Sequence, residues 1–319
     1  MTTTREQRIE QALFRGGSLT LANPEYAREV RAFTEARLRS DLDPGDLTVE
    51  ALGIENQPAS AAIMARERGV VAGLEELAFM VGGFGVHVQF EKKDGEAIES
   101  GDVVLRAEGG RARLLALERV GLNVVQRMSG IATATRSIVS IARRRSTTTR
   151  IVATRKTPWG LLDKRAVHLG GGGTHRLGLG DAIVIKNNHL ALIAGREDEA
   201  APEAIRRAWS FRRQAAFIET EVRSKAGALA AGKTFRRLRE ESSEDYPCLV
   251  MLDNMPPEEI SGVLGALERE NLREAILVEA SGGISEENAE AYAACGVDAI
   301  SVGALTHSAR ALDLCQRIS

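Results

Sequence analysis

Basic side chains occur in three short segments of the second half of the chain, and they have the strongest chemical character in the sequence. These segments contain Arg155 and Lys156, His175 and Arg176, and Lys186, with no acidic residue beside them. A guanidinium group binds a carboxylate through two parallel hydrogen bonds, and a lysine supplies a point charge. Together the segments predict a pocket for an anion with more than one acidic group. Each segment alone is also compatible with a solvated surface.

Acidic residues form a second candidate group. Glu219 and Glu221 lie two apart in an apolar run, so on a strand they point to the same face, and Asp253 ends the next run. Carboxylates held close together are unfavourable unless a cation neutralises them. Oxygen ligands beside a phosphate favour magnesium, so these residues suggest a Mg²⁺ site. The alternative is that they form ion pairs with the basic segments, and the two interpretations are compatible.

Two glycine-containing segments near the end of the chain have the features of phosphate-binding loops. Residues 280–284 read Ala-Ser-Gly-Gly-Ile and precede a helix that Ser285 would cap, and residues 301–304 read Ser-Val-Gly-Ala. Loops after the last strands of a barrel, ending at helix amino termini, are the usual phosphate position in that architecture. Simple turn formation is the alternative. Residues 170–173 match no dinucleotide or Walker pattern and are interpreted as a loop that delivers His175 and Arg176.

Six short apolar runs separated by helical segments predict the architecture that positions these residues. Such runs indicate βα units and a parallel sheet buried on both faces. Polar candidates follow nearly every run, as expected where a barrel assembles one pocket from the carboxyl ends of its strands. The sequence therefore predicts an α/β fold with an incomplete (β/α) barrel of about six parallel strands. The runs are residues 151–154, 182–185, 216–222, 249–252, 275–278 and 299–302.

The first part of the chain predicts an α+β open-sandwich domain. A helix is expected over residues 24–42, followed by three strands and then a long amphipathic helix over 113–142, interrupted near Ser129 and Gly130. We therefore predict an N-terminal α+β domain over residues 1–135 and the barrel over 136–305. A C-terminal helix over 306–319 is expected to pack back on the first domain. The three predicted strands are residues 60–66, 86–91 and 103–108.

Composition excludes several classes of protein. The 319 residues are 44% hydrophobic and 27% charged with a net charge of −2, which lacks the dense basic surface that nucleic-acid binding needs. No stretch is long and apolar enough for a membrane helix, so we expect a soluble protein without a membrane partner. The polar amino terminus does not resemble a secretory signal, which favours a cytoplasmic protein. The three cysteines are expected to be reduced thiols without a function.

Ordered motifs along nearly the whole chain resemble the nicotinate-nucleotide pyrophosphorylase family, also called quinolinate phosphoribosyltransferase. The similarity implies decarboxylating phosphoribosyl transfer from phosphoribosyl pyrophosphate to quinolinate, which yields nicotinate mononucleotide, pyrophosphate and CO₂ for NAD biosynthesis. The motifs are Asp-Leu-Asp-Pro-Gly-Asp-Leu-Thr at 41–48, Gly-Val-Val-Ala-Gly-Leu at 69–74, Glu-Arg-Val-Gly-Leu-Asn at 118–123, Ser-Gly-Ile-Ala-Thr at 129–133, Thr-Arg-Lys-Thr at 154–157, residues 171–176, Ile-Lys-Asn-Asn-His at 185–189, Met-Leu-Asp-Asn at 251–254, Glu-Ala-Ser-Gly-Gly-Ile at 279–284, and residues 301–307.

The resemblance also implies roles for individual residues. The two quinolinate carboxylates would be bound by Arg155, His175, Arg176 and Lys186. Phosphoribosyl pyrophosphate would be bound by Lys156, Lys186, Glu221 and Asp253, which are also the implied catalytic residues, with Mg²⁺ at Glu221 and Asp253. The 5-phosphate would rest on the loops that contain Ser281, Gly282, Gly283, Ser301 and Gly303.

The family resemblance further implies a homodimer with shared active sites, or a larger assembly such as a hexamer, in which Arg119 reaches the partner's site. The chain departs from the family pattern at Ala153, where an acid is common, and at residues 158–160, which read Pro-Trp-Gly. These departures leave room for a relative that acts on another acid, such as nicotinate or the substrate of the molybdenum-transport-associated relative. A ligand-binding homologue without catalysis is the alternative from a different class.

Overall fold

The computed structural model describes residues 3–43 and 45–319. The chain forms two compact units. The barrel unit comprises Met1–Gly16, Ser137–Lys156 and Gly172–His307, and the sandwich unit comprises Gly17–Arg136, Thr157–Gly171 and Ser308–Ser319. The predicted boundary at 135/136 lies one residue from the division at 136/137. Residues 3–16, by contrast, belong with the barrel rather than with the sandwich.

The helices and strands are numbered separately in chain order. The helices are α1 Arg5–Leu13, α2 Pro24–Leu42, α3 Leu47–Ala51, α4 Leu74–Gly82, α5 Arg111–Arg143, α6 Leu161–Leu169, α7 Asn187–Leu190, α8 Glu197–Trp209, α9 Lys225–Ser242, α10 Pro257–Arg269, α11 Ala289–Ala294 and α12 Ala304–His307. The strands are β1 Pro58–Ala65, β2 Gly69–Val70, β3 His87–Phe90, β4 Ala97–Ile98, β5 Val103–Gly110, β6 Arg150–Val152, β7 Ile183–Ile185, β8 Ile218–Val222, β9 Cys248–Asp253, β10 Leu277–Ser281, β11 Ala299–Ser301 and β12 Leu314–Ile318.

The barrel unit contains a parallel sheet of six strands in the order β6-β11-β10-β9-β8-β7. Each strand coincides with one of the six predicted apolar runs, and every residue of β8 is buried, as expected for a strand covered on both faces. In the described residues, β6 and β7 do not pair with each other, and the outer edge of β6 forms only an isolated parallel bridge, between Val152 and Gly173. The predicted incomplete barrel of six strands is therefore confirmed.

Helix α1 belongs to the barrel core. Ile9, Ala12 and Leu13 form one buried cluster with residues at the strands' amino-terminal ends, such as Phe217 and Ala299. Because α1 covers that end, the carboxyl ends of the strands remain for a pocket.

The start of α1 is held by a buried ion pair. Arg5 donates two hydrogen bonds of 2.6 Å to Asp298, which is nearly fully buried just before β11. Burial raises the pKa of Asp298, but the hydrogen bonds from Arg5 and the charge of Arg273 outweigh this effect and lower it.

The sandwich unit is built on an antiparallel sheet in the order β12-β1-β5-β3, with a small separate sheet of β2 and β4. The predicted helix over 24–42 and the three predicted strands are present as α2, β1, β3 and β5. The predicted interruption of the long helix is wrong, because α5 continues through Ser129 and Gly130. The Ser129 hydroxyl accepts a hydrogen bond from the Ala72 backbone N–H at 2.9 Å. A Cβ on residue 130 would lie 1.9 Å from the Arg310 carbonyl oxygen, so this glycine permits a close backbone approach.

The prediction of a C-terminal helix over 306–319 is also wrong. Helix α12 ends at His307, and residues 314–318 form β12, which pairs antiparallel with β1 from Ala65↔Leu314 to Ala61↔Ile318. The segment thus joins the sandwich unit as a strand, where it covers the edge of β1 that would otherwise be open. No helix in the described residues is long and apolar enough to cross a membrane.

Candidate active site

A cavity of about 580 Å³ opens at the carboxyl ends of the barrel strands. Its volume lies within the range typical of small-molecule sites. Twelve of the thirteen residues implied by the family resemblance line it, and all twelve belong to the barrel unit. They are Arg155, Lys156, His175, Arg176, Lys186, Glu221, Asp253, Ser281, Gly282, Gly283, Ser301 and Gly303.

One side of the cavity carries positive charge without a neutralising partner. Arg155 and Lys156 follow β6 and form no ion pair with any residue in 3–43 or 45–319. Arg176 is only 8% exposed, and its Nη1 donates a hydrogen bond of 3.3 Å to the Ala182 carbonyl. Burial and the nearby charge of Arg155 lower the pKa of Arg176. Two cations that repel each other in this way are stabilised when an anion binds between them.

The carboxylates of Glu221 and Asp253 also line the cavity, and each is held by a cation of the same unit. Lys186 Nζ lies 2.8 Å from Glu221 Oε2, and the Asn187 side-chain amide donates to Glu221 Oε1 at 2.8 Å. Arg223 donates through Nε to Asp253 Oδ2 at 2.9 Å. The ion pairs that the sequence analysis left as an alternative are therefore partly present. They also fix the orientation of the two carboxylates that face the cavity.

Beneath these groups, His175 lies in a buried cluster with two further carboxylates. Its Nε2 is 3.1 Å from Glu219 Oε2 and 3.4 Å from Glu279 Oε2, and neither glutamate is exposed. Burial lowers the pKa of His175, but the charges of Glu279 and Glu219 raise it more, with a net rise to about 9. Burial and the charge of Glu279 raise the pKa of Glu219 to about 7.

Hydrogen bonding determines which ring nitrogen of His175 carries the proton. Nδ1 accepts the backbone N–H of Arg176 at 2.8 Å, so an imidazolium would direct a second N–H at that donor. This hydrogen bond favours the tautomer with the ring proton on Nε2, and it opposes the rise in the pKa of His175 that the two glutamates cause. Histidine and carboxylates are also metal-ligand types, and their ligand atoms here lie within 4.8 Å of one another. A metal on Nε2 would require the proton on Nδ1, so the geometry favours a hydrogen-bonded cluster.

The two predicted phosphate loops form the far end of the cavity. Gly282 adopts a left-handed backbone with φ +102°, and a Cβ there would lie 2.4 Å from Asn254 Oδ1 and 2.9 Å from its backbone nitrogen. The Asn254 N–H donates to the Ser281 carbonyl at 2.8 Å, which ties the loop to the end of β9. Ser301 is 3% exposed, and its Oγ has no hydrogen-bond partner among the described residues. A buried hydroxyl without a partner beside open backbone is suited to an anionic oxygen.

Comparison with known proteins shows the family to which the chain belongs. The model of the quinolinate phosphoribosyl transferase N-terminal domain matches residues 46–129, and that of the C-terminal domain matches residues 131–316. The chain is 42% identical over 279 residues to the probable carboxylating nicotinate-nucleotide pyrophosphorylase of Methanothermobacter thermautotrophicus, covering 87% of this chain and 94% of that protein. It is 37% identical over 291 residues to the carboxylating nicotinate-nucleotide pyrophosphorylase of Mycobacterium leprae, covering 87% and 93%.

The chain belongs to the quinolinate phosphoribosyl transferase family. Membership of this family makes the chain a phosphoribosyltransferase. Its fold also matches a solved structure. The crystal structure of NadC from Streptococcus pyogenes matches with a TM-score of 0.78 and 31% identity, covering 92% of this chain and 97% of that one.

Several features of the site were not anticipated from the sequence. Glu279, Asn254 and His307 line the cavity, although no role was assigned to them. Each lies in a family motif, and Glu279 directly precedes the first phosphate loop, which was the available signal. Among the departures from the family pattern, Ala153 lines the cavity. Trp159 belongs to the sandwich unit, where its ring packs against Phe33 with centroids 4.8 Å apart.

Arg119 lies on α5 in the sandwich unit, with 62% of its side chain exposed and its Nη2 3.9 Å from Glu118 Oε1. Its implied role in a partner's site stays a prediction.

Proposed function

We propose that this chain transfers the phosphoribosyl group of phosphoribosyl pyrophosphate to quinolinate and releases pyrophosphate and CO₂, a step that forms nicotinate mononucleotide for NAD biosynthesis. The observation that carries the proposal is the unneutralised pair Arg155 and Arg176, which share one cavity with two phosphate loops. A dianionic aromatic acid would pair with the two arginines, and a sugar phosphate would bind to the loops.

Each end of the cavity would bind one substrate. Arg155 and Arg176 would bind the quinolinate carboxylates through charge-assisted hydrogen bonds, with Lys186 at the edge of the same group. The loops of Ser281–Gly283 and Ser301–Gly303 would bind the 5-phosphate, with Lys156 beside them. Substrates held in this way would have the pyridine nitrogen facing the anomeric carbon, which is the main requirement of the transfer.

The reaction would proceed in two balanced steps. The lone pair of the pyridine nitrogen forms the new bond to the anomeric carbon, and the bond to pyrophosphate breaks with its electron pair leaving on the pyrophosphate oxygen. The 2-carboxylate then leaves as CO₂, and its bonding pair stays on the ring carbon next to the positive nitrogen. That carbon takes up a proton, for which Lys156 and Lys186 are the candidate donors. During the first step, Glu221 and Asp253 would stabilise the positive charge that develops on the ribose.

We further propose that Glu221 and Asp253 hold Mg²⁺. Their oxygens are the hard ligands that Mg²⁺ prefers, and both residues line the cavity. Arg223 contacts Asp253 only at Oδ2, so Oδ1 remains for a metal ion. Bound magnesium would neutralise negative charge on the departing pyrophosphate. Binding of Mn²⁺ in place of Mg²⁺, followed by electron paramagnetic resonance, should weaken in an Asp253→Asn variant. Equal Mn²⁺ binding by the two proteins would show that Asp253 is not a ligand.

The decisive experiment is incubation with quinolinate, phosphoribosyl pyrophosphate and Mg²⁺. We expect nicotinate mononucleotide, pyrophosphate and CO₂ in equal amounts, with the CO₂ derived from label in the 2-carboxylate. Nicotinate in place of quinolinate should give little product, because it lacks the second carboxylate that Arg155 and Arg176 would bind. Efficient turnover of nicotinate, or binding of quinolinate without pyrophosphate release, would contradict the proposal and support a relative with another acid or a non-catalytic homologue.

A further inference from the structure

Both ring nitrogens of His175 are occupied by the protein itself. Nδ1 accepts the backbone N–H of Arg176 at 2.8 Å, and Nε2 faces Glu219 and Glu279 at 3.1 and 3.4 Å. The ring also packs edge-on against Phe217, with centroids 5.1 Å apart. Only 6% of the residue is exposed. No ring nitrogen is therefore left to bind a carboxylate in the cavity, although the family resemblance assigns His175 that role.

The backbone at His175 shows what the side chain does instead. His175 has a positive φ of 54°, a conformation that is uncommon for a residue with a Cβ. In this conformation the ring turns back along the chain and binds the N–H of the next residue. The interaction fixes the peptide that leads into Arg176, one of the two cations of the anion-binding side.

We infer that His175 is a positioning residue, which sets the backbone of Arg176 and does not itself touch the acid. This inference rests on the proposed function, since it concerns how the chain would bind quinolinate. Glu219 supports His175 by accepting a hydrogen bond from Nε2–H at 3.1 Å, which leaves Nδ1 free to accept the Arg176 N–H. Neither oxygen of Glu279 has a hydrogen-bond partner in the described residues, and His175 Nε2, at 3.4 Å from Glu279 Oε2, is the basic group of this cluster.

The orientation of Arg176 depends on this support because few polar contacts restrain its guanidinium. Its guanidinium donates a single hydrogen bond of 3.3 Å to the Ala182 carbonyl, and it forms no ion pair with the described residues. A buried guanidinium with so few partners stays directed at the cavity only when its backbone is fixed.

Two substitutions separate the roles of the ring nitrogens. Asparagine tolerates the left-handed backbone, and its Oδ1 occupies the place of Nδ1 and accepts the Arg176 N–H. Glutamine offers a donor near the place of Nε2 but does not replace Nδ1. If His175 positions Arg176, His175→Gln should weaken quinolinate binding on the order of tenfold or more, because a buried N–H loses its acceptor. His175→Asn should rescue most of that loss.

Calorimetric titration of quinolinate into the full-length protein measures the effect, with the KM for quinolinate and kcat as kinetic readouts. The inference predicts that KM changes more than kcat in His175→Gln. A loss that is equal in the two variants, or larger in His175→Asn, would overturn it. If the wild-type protein binds no quinolinate, the proposed function fails instead, so the two failures are distinguishable.

A measurement on the unmodified protein covers the case in which a variant does not fold. In ¹⁵N-histidine NMR of the wild-type protein, His175 should show an unprotonated Nδ1 and a protonated Nε2, both before and after quinolinate is added. Protonation of Nδ1, or a large change at Nε2 when quinolinate binds, would show direct contact with the acid and would contradict the inference.

Discussion

Arg155 is the residue whose type matters most for the acid substrate, since its charge faces the cavity and no described carboxylate pairs with it. A guanidinium in this position gains most of its hydrogen-bond partners only when the ligand arrives. Its contribution should therefore appear in binding of the acid and not in the stability of the fold.

We predict that Arg155→Ala raises the KM for quinolinate by an amount equivalent to about 2 to 5 kcal/mol. Arg155→Lys should lose less, because it keeps the charge and gives up only the two parallel hydrogen bonds. Steady-state kinetics with each substrate varied in turn measures the effect, and Arg213→Ala serves as a surface control, since Arg213 is 78% exposed. Wild-type kinetics in the alanine variant would show that Arg155 does not bind the acid.

At the scale of elements, the first phosphate loop depends on how β9 and β10 end. Asn254, after β9, also has a positive φ and donates its N–H to Ser281, the last residue of β10. Gly282 fits against Asn254 only because it lacks a Cβ. The two strand ends thus shape the loop together.

Gly282→Ala should displace this loop and raise the KM for phosphoribosyl pyrophosphate more than the KM for quinolinate. The left-handed backbone and the close approach to Asn254 should also cost about 1 to 3 kcal/mol of stability. Gly178→Ala is the matched control, because a Cβ at residue 178 meets no atom within 4 Å. An unchanged KM for phosphoribosyl pyrophosphate in Gly282→Ala would contradict the phosphate role of the loop.

Helix α1 gives a prediction about pH. Because the pKa of Asp298 is lowered in the folded protein, its ion pair stabilises the fold above the ordinary aspartate pKa of about 4. That stability is lost as the pH falls through the lowered folded value. Asp298→Asn should therefore reduce the free energy of unfolding by about 3 kcal/mol near neutral pH and by less in acid. Denaturant unfolding across this pH range tests it, and an equal loss at all pH values would show that the charge is not responsible.

Strands of the barrel could be predicted from the sequence because a strand buried on both faces leaves a continuous apolar run. The residues that follow those runs could also be placed together, because the carboxyl ends of parallel strands lie at one edge of the sheet. The errors concern segments whose state depends on distant partners. Residue 130 stays helical because its backbone packs against Arg310, and residues 314–318 form a strand because β1 offers a free edge. The role of His175 was likewise hidden, since it depends on contacts with β8 and β10.

At the scale of the whole molecule, the shared-site dimer proposed from the family resemblance makes a distinctive prediction about mixed subunits. At quinolinate concentrations near the wild-type KM, Arg119→Ala and Arg155→Ala should each show little activity as uniform assemblies, because each removes one cation from every site. In a mixed dimer, the Arg155→Ala subunit would supply Arg119 to a partner with an intact Arg155.

Co-expression of the two variants with different tags should therefore restore about a quarter of the wild-type rate if the subunits assemble at random into twofold dimers. The purified doubly tagged species can be assayed directly. Full activity of Arg119→Ala alone, or no recovery in the mixed species, would contradict a shared site.

The unpaired edges of β6 and β7 have a consequence for how such a scaffold diversifies. Gly173 pairs with the outer edge of β6 through backbone hydrogen bonds to Ile151 and Ala153, and no strand pairing joins β6 to β7 in the described residues. Two strands that do not pair impose no register on the polypeptide between them, so that stretch can lengthen, shorten or change composition while the sheet stays intact. Arg155, His175 and Arg176 all lie on this stretch. Evolution can therefore alter the residues proposed to bind the acid while the loops after β10 and β11, proposed to bind the sugar phosphate, are preserved.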